Sequence, residues 1–302
     1  MHLVAGGRSK SSGHYYTMKH IVPALRRNLS RSAGREPVVG QKRPTHHGHQ
    51  PSLTISVASY NVHKCVGTDG AFNPGRILDV VLELDADIVA LQEADQRFGS
   101  RKGLLNLKDL QEKGGYRSVL DVGSRKLSHG WHGNVILYRK GSVAAVSKMT
   151  LPGLEPRGAV LVDFDFSGHP VRVIGAHLGL LASSRARQAE AILTAAHPVD
   201  DRAVVLLGDT NEWRMGGRSA LRPFDPHLSD VDMSIASFPS RFPLWPLDRV
   251  LTNKHVTVYE MSAVETALSR TASDHLPVKA VLGVTRGASA AAAQDKSKST
   301  AS

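Results

Sequence analysis

The chain has 302 residues, 41% of them hydrophobic, and a formal net charge of +11, a length that admits one large domain or two small ones. Residues 1–52 hold nine Lys and Arg against one acid and residues 283–302 hold three against one, which leaves 26 basic and 25 acidic side chains between 53 and 282. Net charge therefore gives no argument for a nucleic-acid domain. The single cysteine, Cys65, excludes an intrachain disulfide and any multi-cysteine metal centre, and no apolar run reaches the ~18–20 residues of a transmembrane segment.

Residues 1–52 are rich in Ser, Arg, Gly and His without sustained periodicity and read as a disordered basic segment. Positions 18–33 are basic, serine-bearing and free of acids, so organelle targeting stands as the alternative to the cytoplasmic location expected of this chain. From Leu53 the texture changes, and residues 53–60 read as a strand running into Asn61. Positions 74–84 space their apolar residues for a helix, with Asn73 as cap and Pro74 in the first turn. Short apolar runs at 87–93, 134–138, 158–164 and 171–177 read as strands, 183–196 as a second clear helix, and 203–207 as another buried strand. After a Pro- and aromatic-bearing loop at 222–246, strands are expected at 247–251, 256–259 and 277–282. Few helices among many strands predict two sheets packed face to face with helices outside, in one domain over 53–282. Residues 283–302, with Ala and Lys-Ser repeats, read as a low-complexity tail.

Strand after strand ends in a polar side chain: Asn61 and His63, Glu93, Asn134, His177, Asp209 and Asn211, Asp248, then Asp274 and His275. Any one of these could cap a turn, as Asp and Asn often do. Many in succession, each behind a buried apolar run, line acids, amides and imidazoles along one edge of the core. Oxygen ligands without thiolates favour Mg²⁺ or Mn²⁺ over zinc, and Mg²⁺ needs only one or two protein carboxylates, a role Glu93 and Asp274 suit. Imidazole, carboxylate, amide and metal together suit hydrolysis of a phosphate ester by an activated water.

The blocks Ser59-Tyr60-Asn61-Val62-His63, Leu91-Gln92-Glu93, Gly133-Asn134-Val135, Ala176-His177-Leu178, Gly208-Asp209-Thr210-Asn211, Leu247-Asp248-Arg249 and Ser273-Asp274-His275-Leu276-Pro277 occur in that order. Together they resemble the endonuclease/exonuclease/phosphatase (DNase I-like) superfamily over the whole of 53–282. The resemblance implies an α/β (α+β) fold, a four-layer α/β/β/α sandwich with two central, mostly antiparallel sheets. It also implies that Glu93 is the main metal ligand, with Asn61 and Asp274 in the metal shell. Asp209 and Asn211 would orient water and phosphate, His275 paired with Asp248 would be the acid–base or phosphate-binding imidazole, and His177 would touch the phosphoryl oxygens. Arg157 and Arg185 could add bidentate phosphate contacts, or be ordinary surface arginines. His63 stands where abasic-site endonucleases carry an aspartate, which weakens a second-metal proposal.

The leading expectation is thus a Mg²⁺-dependent (or Mn²⁺-dependent) phosphodiester hydrolase, nominally a nuclease. A hydrolase of phospholipid or inositol-phosphate head groups is the alternative, and a non-catalytic binding module of the same fold is the third reading. The near-neutral core and the 5% aromatic content lean toward a substrate smaller than nucleic acid. No partner protein is implied.

Overall fold

Apolar side chains alternate along the strands with period two, and the two resulting faces go to different cores. This is seen in a computed structural model of the chain, which describes residues 53–97, 99–120, 128–196, 202–214, 216–225, 227–230 and 235–285. The expectations for residues 1–52 and for 286–302 lie outside them. The first sheet comprises β1 (Leu53–Asn61), β2 (Ile88–Gln92), β3 (Arg117–Ser118), β4 (Val135–Tyr138), β11 (Val256–Ala263) and β12 (Val278–Val284), in the order β11-β12-β1-β2-β4-β3. The second comprises β5 (Ser142–Leu151), β6 (Arg157–Asp165), β7 (Pro170–His177), β8 (Ala203–Asp209), β9 (Ser229–Asp230) and β10 (Asp248–Thr252), in the order β5-β6-β7-β8-β10-β9.

The two orders share one plan. Each sheet has a single parallel pair at its centre, β1 with β2 and β7 with β8, flanked by antiparallel neighbours. A parallel pair needs a crossover, and α1 (Pro74–Leu84) and α3 (Ala182–Ala196) supply the two. Asn73 caps α1 by accepting from the backbone of Arg76 at 3.2 Å, with Pro74 at the first position, as its sequence requires. Two further helices are α2 (Leu107–Gly114) and α4 (Ala267–Ala272), the second opened by a reciprocal Thr266–Ser269 capping box.

Three apolar clusters make this a four-layer sandwich. Ile55, Val57, Ile88 and Ala90 of the first sheet meet Val173, Val205, Leu207 and Val250 of the second between the sheets. The opposite faces are covered by helices: Ala58, Tyr60, Val89 and Leu91 lie against Ile77, Val81 and Leu110, and Ile174, Val204 and Leu206 against Ala189 and Ile192. The expected fold is the one observed. Where the elements differ from expectation, the reason is local. Strand β5 is mostly solvent-exposed along its length, so it carries no apolar run to read, and the eight-residue α2 buries only Leu110. Strand β12 continues through Val284, past the expected start of the tail, because Gly283 and Val284 still pair with Thr54 and Leu53.

No helix among the described residues is long and apolar enough to cross a membrane. Cys65 is fully buried, and burial pushes its thiol up to about 12. The native chain is therefore expected to resist iodoacetamide at about pH 8, while the urea-unfolded chain is alkylated readily; mass spectrometry of the two states checks this, and equal labelling would contradict it.

Candidate active site

The inner faces of β7 and β8 stay apolar until the last residue of each strand, and there turn polar. In β8 the sequence of inner residues is Ala203, Val205, Leu207 and then Asp209; in β7 it is Val171, Val173, Gly175 and then His177. Strand β1 turns polar one step earlier, at Ser59, and ends on Asn61, and β10 begins with Asp248, paired in register with Asp209. Because β1 and β7 both run toward this edge, the carboxyl ends of the two parallel pairs meet. Asn61 Nδ2 spans the gap between the sheets and donates to Asp209 Oδ2 at 2.9 Å.

Asp209 is the centre of the cluster. Its Oδ1 accepts from the backbone N–H of Asn211 at 2.9 Å, and its Oδ2 lies 3.3 Å from His177 Nε2 and 3.8 Å from His275 Nε2. Burial alone would raise its pKa, but the two imidazoles and the Asn211 N–H outweigh burial and hold it below the usual carboxylate range. Asn211 Nδ2 is shared between His177 Nε2, at 3.1 Å, and the Leu178 carbonyl, at 2.9 Å. Arg157 Nη1 sits 2.8 Å from His177 Nδ1, and Arg157 Nε donates to Glu155 at 3.0 Å.

His275 Nδ1 is 2.8 Å from Asp248 Oδ2, which also accepts from Ser237 Oγ at 2.5 Å. Burial disfavours the imidazolium, yet the carboxylates of Asp248 and Asp209 prevail and raise its pKa to about 10. The ring of Phe238 packs against the imidazole with centroids 4.7 Å apart. Ser237 and Phe238 escaped the sequence reading, since they sit in an irregular loop at no legible spacing from Asp248.

Glu93 follows β2 with φ +56, and Asn211 follows β8 with φ +50. These left-handed positions in non-glycine residues are costly and tend to gather at functional sites. Gly133, itself at φ +83, lies under Glu93, where an added Cβ would come within 3.3 Å of the Glu93 Cα. A turn of three successive left-handed residues, His63–Cys65, then addresses both outer carboxylates. Lys64 Nζ is 2.5 Å from Glu93 Oε2, and His63 Nδ1 is 3.7 Å from Asp274 Oδ1. Burial pushes Glu93 up, but His177, Lys64 and Arg157 together bring it down to about 2. The buried Oε2 faces the Lys64 ammonium and, among the described residues, no other donor. Glu93, His177 and Arg157 line one cleft with Lys64, Asp95, Arg101 and His132.

Among the described residues no three His, Cys, Asp or Glu side chains converge as a metal cage. An ionised, buried carboxylate whose Oε2 has only the Lys64 ammonium against it, in a setting of oxygen donors and no thiolate, nevertheless fits a hard cation that would take that ammonium's place and keep most of its waters. The carboxamide oxygen of Asn61 already accepts from the backbone of His63 at 3.0 Å.

Arg185 departs from its expected place. It is 3% exposed, its Nε and Nη2 reach Glu212 Oε2 at 3.3 and 3.1 Å, and its Nη1 donates to the carbonyls of Gly179 and Leu180. All these contacts face inward, so it acts as a buried strut between the loops after β7 and β8. Its partner Glu212, fully buried, also accepts from the backbone of Arg214 and Ala220 at 2.8 Å each. The sequence assigned Glu212 no role; a carboxylate beside a strand end gives no sign of whether it faces the cleft or the loop behind it.

Two six-stranded sheets face to face, helices on both outer faces and a polar cluster at one edge define a DNase I-like α/β sandwich. The chain belongs to the endonuclease/exonuclease/phosphatase family, whose model matches residues 58–275. Among solved structures it is similar to an endonuclease/exonuclease/phosphatase from Beutenbergia cavernae, at 22% identity and a TM-score of 0.59, covering 77% of this chain and 72% of that one. It is also similar to a mannosyl-6-phosphatase from Bacteroides thetaiotaomicron, at 19% identity and TM-score 0.58, covering 76% and 99%. A third is D. rerio TDP2 complexed with single-strand DNA product, at 17% identity and TM-score 0.58, covering 76% and 98%. No curated protein matches the chain.

Proposed function

We propose that this chain is a divalent-cation-dependent phosphodiester hydrolase whose working residues are Asp209, Asn211, His177, Asp248 and His275, with Glu93 as the principal cation ligand. The observation that carries the reading is the convergence of Asp209 with Asn61, His177 and His275 at the meeting ends of the two parallel pairs. A purely structural cluster would gain little from burying two imidazoles and two carboxylates together, since the desolvation cost of such groups rivals their attraction. Family membership supports phosphoester hydrolysis in general; the choice of diester and of Mg²⁺ is ours. The convergence of Asp209, Asn211, His177, Asp248 and His275 speaks against a non-catalytic module.

Each side chain then has a task. Asp209, fixed by Asn61 and by the Asn211 N–H, orients a water toward phosphorus. Asn211, His177 and Arg157 present donors to phosphoryl oxygens, while Asp248 holds His275 with its far nitrogen toward Asp209, placed to pass a proton to a departing or bound oxygen. Arg185 is left out of the phosphate-binding set. Glu93, with Asp274 and Asn61 as the further ligands that the family resemblance implies, would hold Mg²⁺ or Mn²⁺. When bound, that cation neutralises charge developing on the phosphoryl group.

Chelation is expected to abolish hydrolysis of bis(p-nitrophenyl) phosphate, and added Mg²⁺ or Mn²⁺ to restore it. Undiminished turnover in EDTA would refute the cation requirement. A panel of plasmid DNA, RNA, phospholipid and inositol phosphates, each with and without Mg²⁺, ranks the substrates.

A further inference from the structure

Large exposed hydrophobic side chains are common singly on protein surfaces, but contiguous groups of them mark interaction sites. Among the described residues, seven of the eight stand on loops at the end of the sandwich that carries the cleft; the eighth, Tyr259, lies in β11. The register fixes that placement. Leu154 precedes Arg157 at the start of β6, and Leu180 and Leu181 follow His177 at the end of β7. Trp213 follows Asp209, and Phe242 and Leu244 precede Asp248, its partner in register. Four adjoining strands of the second sheet thus each send an exposed apolar group to one rim, and Phe72 joins from the loop after β1.

Hydrogen bonds knit the rim into two arcs. In the first, Leu180 N–H donates to Glu155 at 3.0 Å, and the buried Arg185–Glu212 pair ties the Leu180 carbonyl to the Arg214 backbone beside Trp213. In the second, Arg241 donates to the Thr68 carbonyl at 3.1 Å, bringing the Phe242 loop to the Phe72 loop. Leu154 is 84% exposed and Phe242 78%, so nothing among the described residues covers either side chain.

The charges on the same loops are unequal in freedom. Acids are held by arginines, Asp69 by Arg76, Glu155 by Arg157 and Glu265 by Arg270. Lys102, Arg218 and Arg241 are exposed, and Arg214 stacks on Trp213 at 4.9 Å. Leucine, Trp and Phe interleaved with basic side chains are what an anionic lipid interface binds. Four of the seven apolar groups are leucines, which have no ring on which a nucleobase could stack.

We infer that this rim docks on an anionic phospholipid bilayer, so that the phosphate ester delivered to the cleft belongs to a lipid head group; this deepens the hydrolase reading and rests on it for the chemistry. The test is co-sedimentation of the full chain with phosphatidylcholine vesicles with and without phosphatidylserine. The wild-type chain is expected to bind the anionic vesicles, and the triple variant L154S/F242S/L244S to bind them about tenfold or more weakly. Hydrolysis of soluble bis(p-nitrophenyl) phosphate should be unchanged in that variant, which also reports intact folding. Wild type that ignores anionic vesicles overturns the docking. So does a triple variant that binds them as wild type does, the result expected if the basic segment 1–52 were the anchor, or one that loses oligonucleotide binding instead. Vesicle binding lost in the variant, beside a wild type inert on every phosphate ester, would retain the docking and remove the hydrolase reading.

Discussion

His275→Ala is expected to lower kcat/KM for phosphodiester hydrolysis by about 10²–10⁴-fold, the usual contribution of a positioned acid–base group. Three neighbours immobilise the imidazole: Asp248 Oδ2 at Nδ1, the Phe238 ring at its face, and Asp209 Oδ2 at 3.8 Å from Nε2. Alanine removes the imidazole that joins Asp248 to Asp209, leaving two buried carboxylates without the positive charge between them. Part of the loss should therefore reappear in Asp248→Asn, which keeps the shape but not the charge that orients Nδ1. Steady-state kinetics with both variants, alongside circular dichroism to establish folding, checks the assignment. A folded His275→Ala chain with wild-type kcat/KM would end the mechanism proposed for this cluster.

Glu212→Ala is expected to destabilise the fold by about 3–5 kcal/mol, the range for removing one partner of a buried ion pair. Arg185 would be left 3% exposed with its charge unanswered, and the backbone N–H groups of Arg214 and Ala220 would lose their acceptor. Urea denaturation measures this as a lower midpoint at unchanged slope. The paired change Arg185→Met with Glu212→Met should recover only the part of the loss that comes from the unanswered charge, because the N–H groups of Arg214 and Ala220 stay without their acceptor. A shift below about 1 kcal/mol in Glu212→Ala would mean that the pair is solvated and that the loop after β8 is held by other contacts. The same loop begins at Asn211, so a smaller fall in activity should accompany the loss of stability.

The two variants also divide what could be read in the chain from what could not. His275, Asp248, Asp209 and Asn211 were legible because each stands at the end of a strand whose apolar alternation announces it, and because their blocks keep a recognisable order. Glu212, one residue further on, has no such mark. Whether it faces the cleft or the buried arginine behind it depends on α3, which is distant in sequence and packs there only in the folded chain. Arg185 was misjudged too: it stands in helical phase with Ala189 and Ile192 on the buried face of α3, and a charged side chain there gives no sign of the distant Glu212 that partners it inside the fold.

By itself, then, the sequence determined the layers, the two crossover helices and the edge at which polar chemistry collects, since period-two and helical patterns are local properties of the chain. Tertiary structure alone decided which polar groups touch. The Asn61–Asp209 bond joins residues 148 apart, and Ser237, Phe238 and Lys64 reach the site through irregular loops. It also gathered scattered leucines and aromatics into one rim, because antiparallel register, a pairing between distant segments, sets which loops share an end of the sandwich.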